Sequence, residues 1–368
     1  MCPMAGRRVL GLVGLAAIFL VAPGSARAAD AVADPSPLQQ LTGSITTTIA
    51  HDSRVRHRTS AAANGSDTTE VCDVSFVTDG GDDDGGAASV DTEENCEEIE
   101  VPAGSQSRTA LANIQDWQAN VLAKFDHRLN FDARGDAWRT QVEINQAWQA
   151  TAGDQDIRVL KVRTGPSIAI PDWKTKLDIA GAYQNNRFNH MNTLDVFSPL
   201  AAVEVKPFAG LRVSATYTYE FRHATPVVLI GNAQTGDIQV RWDMTKRDRF
   251  TVRTLLRNQT TRSLFSGFDS AEFRLAYRRG FDFFGAAGWY GEVEPRVRFT
   301  NFAAPSNNAN DNGLTRQDRI RSLVLTLGRD FNPSWTLLGS YIYGYTDSNI
   351  IRFRKDDNRF LTSLVRNF

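Results

Sequence analysis

The stretch from Trp138 to Trp148 alternates between apolar and polar side chains along its whole length. Its even positions are mostly apolar and its odd positions mostly polar: Trp138, Thr140, Val142, Ile144 and Trp148 against Arg139, Gln141, Glu143, Asn145 and Ala147. Successive side chains of a β-strand point to opposite faces, so this stretch predicts a strand with one apolar and one polar face. Ten steps of about 3.3 Å at a tilt near 40° rise roughly 25 Å, the height of the apolar band on a membrane-spanning barrel.

The same pattern recurs along the chain, most clearly in Leu211–Phe221. Short turns are predicted at Gly135, Gly165-Pro166, Pro207, Arg247 and Pro333, and longer connections at 54–109, 224–235, 260–269 and 303–318. Pro295 lies inside a predicted strand and requires a bulge or a local break, because proline donates no ladder hydrogen bond. We therefore predict an all-β, antiparallel, up-and-down transmembrane barrel of about 14 strands, with short periplasmic turns, longer extracellular loops and both termini in the periplasm.

Aromatic residues mark the predicted ends of the strands. Such residues form girdles at both interfaces of a membrane barrel. The predicted girdle consists of Trp138, Trp173, Trp242, Trp289 and Trp335 at periplasmic ends, with Trp117 and Trp148 at outer ends.

Residues 1–28 have the features of a secretory signal peptide: a basic start at Arg7 and Arg8, an apolar run, and a small-residue cleavage site at Ala26-Arg27-Ala28. We expect 29–42 to form a short periplasmic leader and 43–368 to form the barrel. The net charge of −1 gives no reason to propose nucleic acid as a partner.

The predicted outer loop 54–110 is strongly acidic, since no Lys or Arg occurs between Arg58 and Arg108. Signal cleavage would leave only Cys72 and Cys96, and an oxidising compartment favours a disulfide between them. We expect that disulfide to staple a small hairpin, and the closed loop of about 25 residues would contribute roughly 3 kcal/mol in the chain-entropy treatment.

Charged residues gather on the polar faces of the later strands. The predicted lumen set is Arg212, Arg222, Arg241, Arg253, Arg257, Arg274, Arg278, Arg296 and Arg298, with Glu272, Glu292 and Glu294 among the interspersed acids. One interpretation is that these charges pair across neighbouring strands and satisfy a polar interior. The other is that arginines form a positive wall that favours anionic solutes, for which the planar guanidinium is suited.

The acidic loop has three interpretations. Asp79, Asp82, Asp83 and Asp84 could fold into the mouth, face the arginine wall and form a constriction. The loop could instead be a solvated surface segment. The clustered carboxylates could also bind a divalent cation, although their spacing does not match a calcium loop.

Catalytic motifs are missing from the sequence. The histidines do not form a hydrolase arrangement, and zinc spacing and phosphate-binding glycine loops are absent. We expect no enzyme activity, no cofactor and no metal.

The chain ends on Phe368, with Leu364 and Phe360 on the same predicted face. This ending resembles the targeting signal of bacterial outer-membrane β-barrel proteins, although Arg366 stands where such signals usually have an apolar or aromatic residue. Tyr341–Phe368 also resembles the end of porin-like barrels and of the barrel of surface-lipoprotein assembly modifiers. The resemblance implies a Gram-negative cell outer membrane, with lipid, lipopolysaccharide and the barrel-assembly machinery as partners.

These features predict an outer-membrane channel for the passive passage of small hydrophilic solutes, with a preference for anions set by the arginine-rich lumen. Two alternatives belong to other functional classes. The barrel could export or assemble surface macromolecules, or it could be a plugged structural or adhesin barrel.

Overall fold

The computed structural model describes residues 39–59, 68–78, 90–100, 110–132, 135–149, 156–188, 192–225, 230–262, 266–305 and 313–368. Its strands are β1 Gln39–Thr59, β2 Thr68–Thr78, β3 Val90–Glu100, β4 Ala110–Asn130, β5 Ala137–Gln149, β6 Ile157–Ile170, β7 Thr175–Phe188, β8 Asn192–Phe208, β9 Leu211–Thr225, β10 Gly231–Asp243, β11 Asp248–Thr261, β12 Phe268–Phe283, β13 Ala286–Pro305, β14 Thr315–Asn332, β15 Trp335–Ser348 and β16 Lys355–Asn367. The predicted signal peptide lies outside these residues. β1 begins four residues before the predicted start of the barrel.

Strands β1 and β4–β16 form one closed antiparallel barrel in which each strand pairs with its neighbours in the chain, apart from the hairpin β2–β3 inserted between β1 and β4. The barrel closes where β1 pairs with β16, for example Ser44 with Asn367. Closure satisfies the backbone groups that an open sheet edge would leave unpaired in lipid. The predicted 14-stranded up-and-down barrel is confirmed.

The outside of the barrel is apolar. On β5, Trp138 and Ile144 are 42% and 40% exposed, whereas Asn145 and Ala147, which point inward, are each 1% exposed. The same alternation places large apolar side chains outward on the other barrel strands, including Ile179, Phe197, Tyr217, Phe273 and Leu327. A water-soluble protein would bury these side chains, whereas this arrangement suits a surface surrounded by lipid.

The predicted turn at Gly165-Pro166 is wrong, because β6 continues through both residues to Ile170. A Cβ on Gly165 would lie 2.1 Å from the backbone oxygen of Ile179, so glycine allows β7 to approach closely. The turn instead follows β6, where a short 3-10 helix, Pro171–Trp173, leads into β7.

Pro295 lies on the outer face of β13 and causes a local break. The pairing of β13 with β12 lapses between Arg274 and Tyr277 and then resumes in the same register. The ladder to β14 continues past Pro295, which faces Leu323. A break without a bulge is therefore sufficient to accommodate the missing N–H group.

The strands extend further toward the loop end than the sequence suggests, so several outer connections are shorter than predicted. The connection after β9 spans 226–230, the one after β11 spans 262–267, and the one after β13 spans 306–314. β1 and β4 continue beyond Asp52 and Trp117 as a two-stranded ribbon, with a register shift between Asp52 and Val55. The hairpin β2–β3 follows this ribbon in the chain.

The hairpin β2–β3 places Cys72 opposite Cys96. This register agrees with the predicted disulfide between the two strands, although β3 begins at Val90 and is longer than expected. The disulfide itself stays a prediction. Among the described residues, no helix is long and apolar enough to cross a membrane.

Candidate functional site

The inner wall of β9–β13 carries the predicted arginines. Arg222 and Arg241 are 4% exposed, Arg253 7% and Arg274 6%. The sheet register determines which of them are neighbours. Arg253 lies opposite Arg274, and Arg274 lies opposite Arg296, so three neighbouring strands present arginine in one row. We call Arg253, Arg274 and Arg296 the arginine row.

Each member of the arginine row has a carboxylate partner. The Arg253 guanidinium donates to both oxygens of Asp237, with Nη2 to Oδ2 at 2.7 Å. Arg274 pairs with Glu272, and Arg296 pairs with Glu294, each partner lying two residues away on the same strand. Directly opposed like charges destabilise a sheet, and these acids offset that repulsion. The cross-strand pairing considered from the sequence thus occurs at Arg253, whereas Arg274 and Arg296 pair along their own strands, and the three guanidiniums stay side by side.

The remaining predicted arginines occupy both ends of the same wall. Arg212 lies opposite Arg241 and has Glu204 at 3.8 Å, while Arg241 shares Asp243 with Arg249 at 3.2 and 2.7 Å. Arg257 pairs with Glu220 at 3.1 Å. Arg298 lies opposite Glu272 in the register, and no ion pair of Arg298 is found within the described residues. Arg278 lies opposite both Arg249 and Glu292.

A second charged wall lies across the lumen and was not in the predicted site. Lys124, Glu143 and Lys161 face one another in one row across β4, β5 and β6. Below them Arg139 pairs with Asp126, which also accepts a hydrogen bond from Gln141 at 2.8 Å. The polar alternation of these strands signalled inward charges, but only the register shows that their signs alternate along the row.

A cavity of about 360 Å³ lies at the short-turn end of the arginine wall, lined by Asp243, Arg249, Arg278, Tyr290 and Asp330 among others. The Arg278 guanidinium lies 3.4 Å from the centre of the buried Tyr290 ring and 3.7 Å from Asp330. The Tyr290 ring extends over Gly328 of β14, where a Cβ would lie 2.2 Å from the ring ζ carbon. The ring and the guanidinium thus pack together on the inner wall at this end.

The seven tryptophans of the predicted girdle lie at the two ends of the apolar band. Trp117, Trp138, Trp148, Trp173 and Trp242 are exposed, and Trp289 and Trp335 are half-buried. Arg329 lies 5.2 Å from the Trp289 ring, and Arg366 lies 5.5 Å from the Trp335 ring. Arg366 is therefore accommodated in the terminal strand as an interfacial cation stacked on an aromatic residue.

A closed barrel with an apolar exterior, bounded by aromatic residues at both ends and enclosing a charged interior, fits one environment. This chain forms a transmembrane β-barrel of the outer-membrane type. Its short turns face the periplasm and its long connections face the cell exterior.

No protein-family model matches the sequence of the barrel, and no curated protein matches it. Among solved structures, the outer-membrane channel DcaP of Acinetobacter baumannii is similar at 10% identity and a TM-score of 0.43, covering 90% of this chain and 97% of that chain. OprD of Pseudomonas aeruginosa is similar at 6% identity and a TM-score of 0.36, covering 89% of this chain and 95% of that chain.

Some predicted site residues are not described. Asp79, Asp82, Asp83 and Asp84 lie outside the described residues, so the constriction and the cation site stay predictions. Within the described part of the chain, no group of three or more His, Cys, Asp or Glu side chains is placed to hold a metal ion.

Proposed function

We propose that the barrel is a channel for the passive passage of small hydrophilic solutes, and that it favours anions. The observation that carries this proposal is the arginine row, in which Arg253, Arg274 and Arg296 face one another on the lumen wall.

The dimensions of the barrel support a channel. Fourteen strands spaced about 4.8 Å apart and tilted near 40° enclose a backbone cylinder of roughly 28 Å in diameter. Side chains reach the axis in barrels of about eight strands, whereas a wider barrel leaves room for water and hydrated ions. The inner wall is polar around much of its circumference, with hydroxyl pairs such as Thr48–Ser363 at 2.8 Å and Thr326–Ser340 at 2.9 Å.

The sign of the charge along each wall supports the preference for anions. On β11–β13 the inward arginines outnumber the inward acids: Arg249, Arg253, Arg257, Arg274, Arg278, Arg296 and Arg298 against Glu272, Glu292 and Glu294. Several of the balancing carboxylates come from flanking strands, as Asp237 does from β10. Across the lumen, the Lys124–Glu143–Lys161 row alternates in sign, so its field decays over a shorter distance.

The mechanism follows from this arrangement. An anion moving along β11–β13 meets successive guanidiniums that can replace part of its hydration shell. The carboxylate partners lower the affinity of each arginine site for the anion, which allows release to the next site. Conduction requires this balance between entry and exit.

Conductance of the purified full-length protein in a planar bilayer tests the proposal. We expect discrete ohmic steps, and in a KCl gradient a reversal potential displaced toward the chloride equilibrium potential. A correctly folded protein that gives no steps would overturn the channel function and favour a plugged or assembly barrel. Steps with a cation-directed reversal potential would overturn the anion preference alone.

A further inference from the structure

The outer surface of β6 and β7 carries two arginines side by side. Arg158 lies directly opposite Arg187 in the sheet register, and both side chains are exposed. The adjacent register pair, Val159 and Asn186, points inward, and each of these residues is 1% exposed. Arg158 and Arg187 therefore face the membrane side of the barrel. We call these two residues the outer arginine pair.

The height of the outer arginine pair corresponds to the membrane interface. On its other side Arg158 lies opposite Gln146, two residues from Trp148 of the outer girdle. On β7, the exposed Tyr183 lies four residues closer to the middle of the bilayer than Arg187 does. Aromatic girdles mark the level of the lipid headgroups, so the outer arginine pair lies at the headgroup level of the outer leaflet.

The outer arginine pair is electrostatically incomplete. Like charges directly opposite each other on a sheet are destabilising, and in the described part of the chain neither guanidinium forms an ion pair. Arg187 attracts the nearby Asp195, but Oδ1 of Asp195 already accepts hydrogen bonds from Tyr183 and Asn185, each at 2.7 Å. An anion between Arg158 and Arg187 would convert the repulsion into two charge-assisted hydrogen bonds.

We propose that the outer arginine pair is a binding site for the phosphate group of a phosphorylated glycolipid in the outer leaflet. The planar guanidinium fork matches a phosphate, and the apolar and aromatic surface of Leu160 and Tyr183 suits the acyl chains below it. The proposal depends on the position of the barrel in the outer membrane and not on its channel function. Loss of conductance and loss of lipid binding are therefore separate results.

Retention of lipid A by the purified full-length barrel in detergent micelles tests the proposal, with native mass spectrometry as the readout. We expect bisphosphorylated lipid A to be retained, and the double variant Arg158→Gln/Arg187→Gln to bind it about 30-fold more weakly. Each single variant should bind lipid A about fivefold more weakly than the unmodified protein. These single variants test the proposal if the double variant does not fold. The double variant with lysine at both positions should bind lipid A more tightly than the glutamine double variant and more weakly than the unmodified protein, because it keeps the charge and loses the planar fork.

The matched control is Arg319→Gln. Arg319 is also exposed on the outer surface, but it lies opposite Asp347 and 5.5 Å from the Phe299 ring. We expect this variant to bind lipid A within twofold of the unmodified protein. Equal binding by the double variant, or equal retention of fully dephosphorylated lipid A, would overturn the proposal. Binding of inorganic phosphate without preference for the lipid would overturn the assignment to a glycolipid.

Discussion

The terminal ring of Phe368 lies against Gly43, where a Cβ would come within 2.7 Å of two ring carbons. The two residues also exchange backbone hydrogen bonds, at 2.9 Å from Gly43 N–H to the Phe368 oxygen and at 3.0 Å from Phe368 N–H to the Gly43 oxygen. The last residue of the chain thus fastens the seam between β16 and β1. Phe125 of β4 adds an aromatic contact at 6.0 Å, so the seam is held from both sides of β1.

Gly43→Ala should destabilise the barrel by about 1–3 kcal/mol, because the new methyl group would overlap both the Phe368 ring and the Lys124 backbone oxygen. The measurement is the midpoint of heat-modifiable migration on a gel. Gly236→Ala on β10 is the matched control, since a Cβ there meets nothing within 4 Å. Equal midpoints for the two variants would show that the seam contact does not limit stability.

Gly328→Ala should displace the Tyr290 ring and separate it from Arg278. We expect a destabilisation of about 1–3 kcal/mol from overpacking and a change in single-channel conductance, because the ring and the guanidinium line the lumen at the periplasmic end. Tyr290→Phe keeps the ring and should leave both properties close to those of the unmodified barrel. If conductance is unaltered in both variants, Tyr290 does not line the permeation path.

Arg298→Gln should move the reversal potential toward the cation direction with little change in stability, because no ion pair of Arg298 is found in the described structure. Arg274→Gln should in addition lower thermal stability by about 1–3 kcal/mol, because it leaves the buried Glu272 without its ion-pair partner. Lys161→Gln is the control, because Lys161 belongs to the row in which Lys124, Glu143 and Lys161 alternate in sign. It should shift the reversal potential less than Arg298→Gln does. Equal shifts for Arg298→Gln and Lys161→Gln would contradict the assigned difference between the two walls.

Deletion of Thr78–Asp91 should raise single-channel conductance if the acidic segment enters the mouth. The segment contains Asp79 and Asp82–Asp84, whose carboxylates would otherwise narrow the path and attract the lumen arginines. Replacing these four aspartates with asparagine, without deletion, separates the effect of charge from that of bulk. Conductance that stays the same in both proteins would assign the segment to the outer surface.

Oxidation should join Cys72 to Cys96, since opposite positions on antiparallel strands lie within the Cα distance range of disulfides. Mass spectrometry of the purified protein, with and without reduction before alkylation, detects the bond. The Cys72→Ser/Cys96→Ser variant should be cleaved faster within 68–100 by added protease, while the midpoint of barrel unfolding stays unchanged. Free thiols in freshly isolated membranes would contradict the expected disulfide.

The sequence predicted the barrel because period-two alternation assigns each side chain to a face without reference to its neighbours. The tryptophans at the strand ends and the terminal Phe368 likewise indicated the membrane interfaces, because their positions along the strands can be read without knowing their neighbours in the sheet. The prediction failed at Gly165-Pro166, where a glycine-proline pair normally indicates a turn. There, the need for close approach to β7 outweighed local propensity.

The alternation alone fixed the inward position of Arg253, Arg274 and Arg296, but not that they form one row. If two neighbouring strands slip by two residues, each side chain keeps its face of the sheet but lies opposite a different residue. The alternation therefore does not determine the register. The hydrogen-bond ladders of the closed barrel removed that freedom. Only the tertiary structure therefore decided that the lumen row shares one sign, that Lys124 and Lys161 flank Glu143, and that Arg158 meets Arg187 on the outer surface.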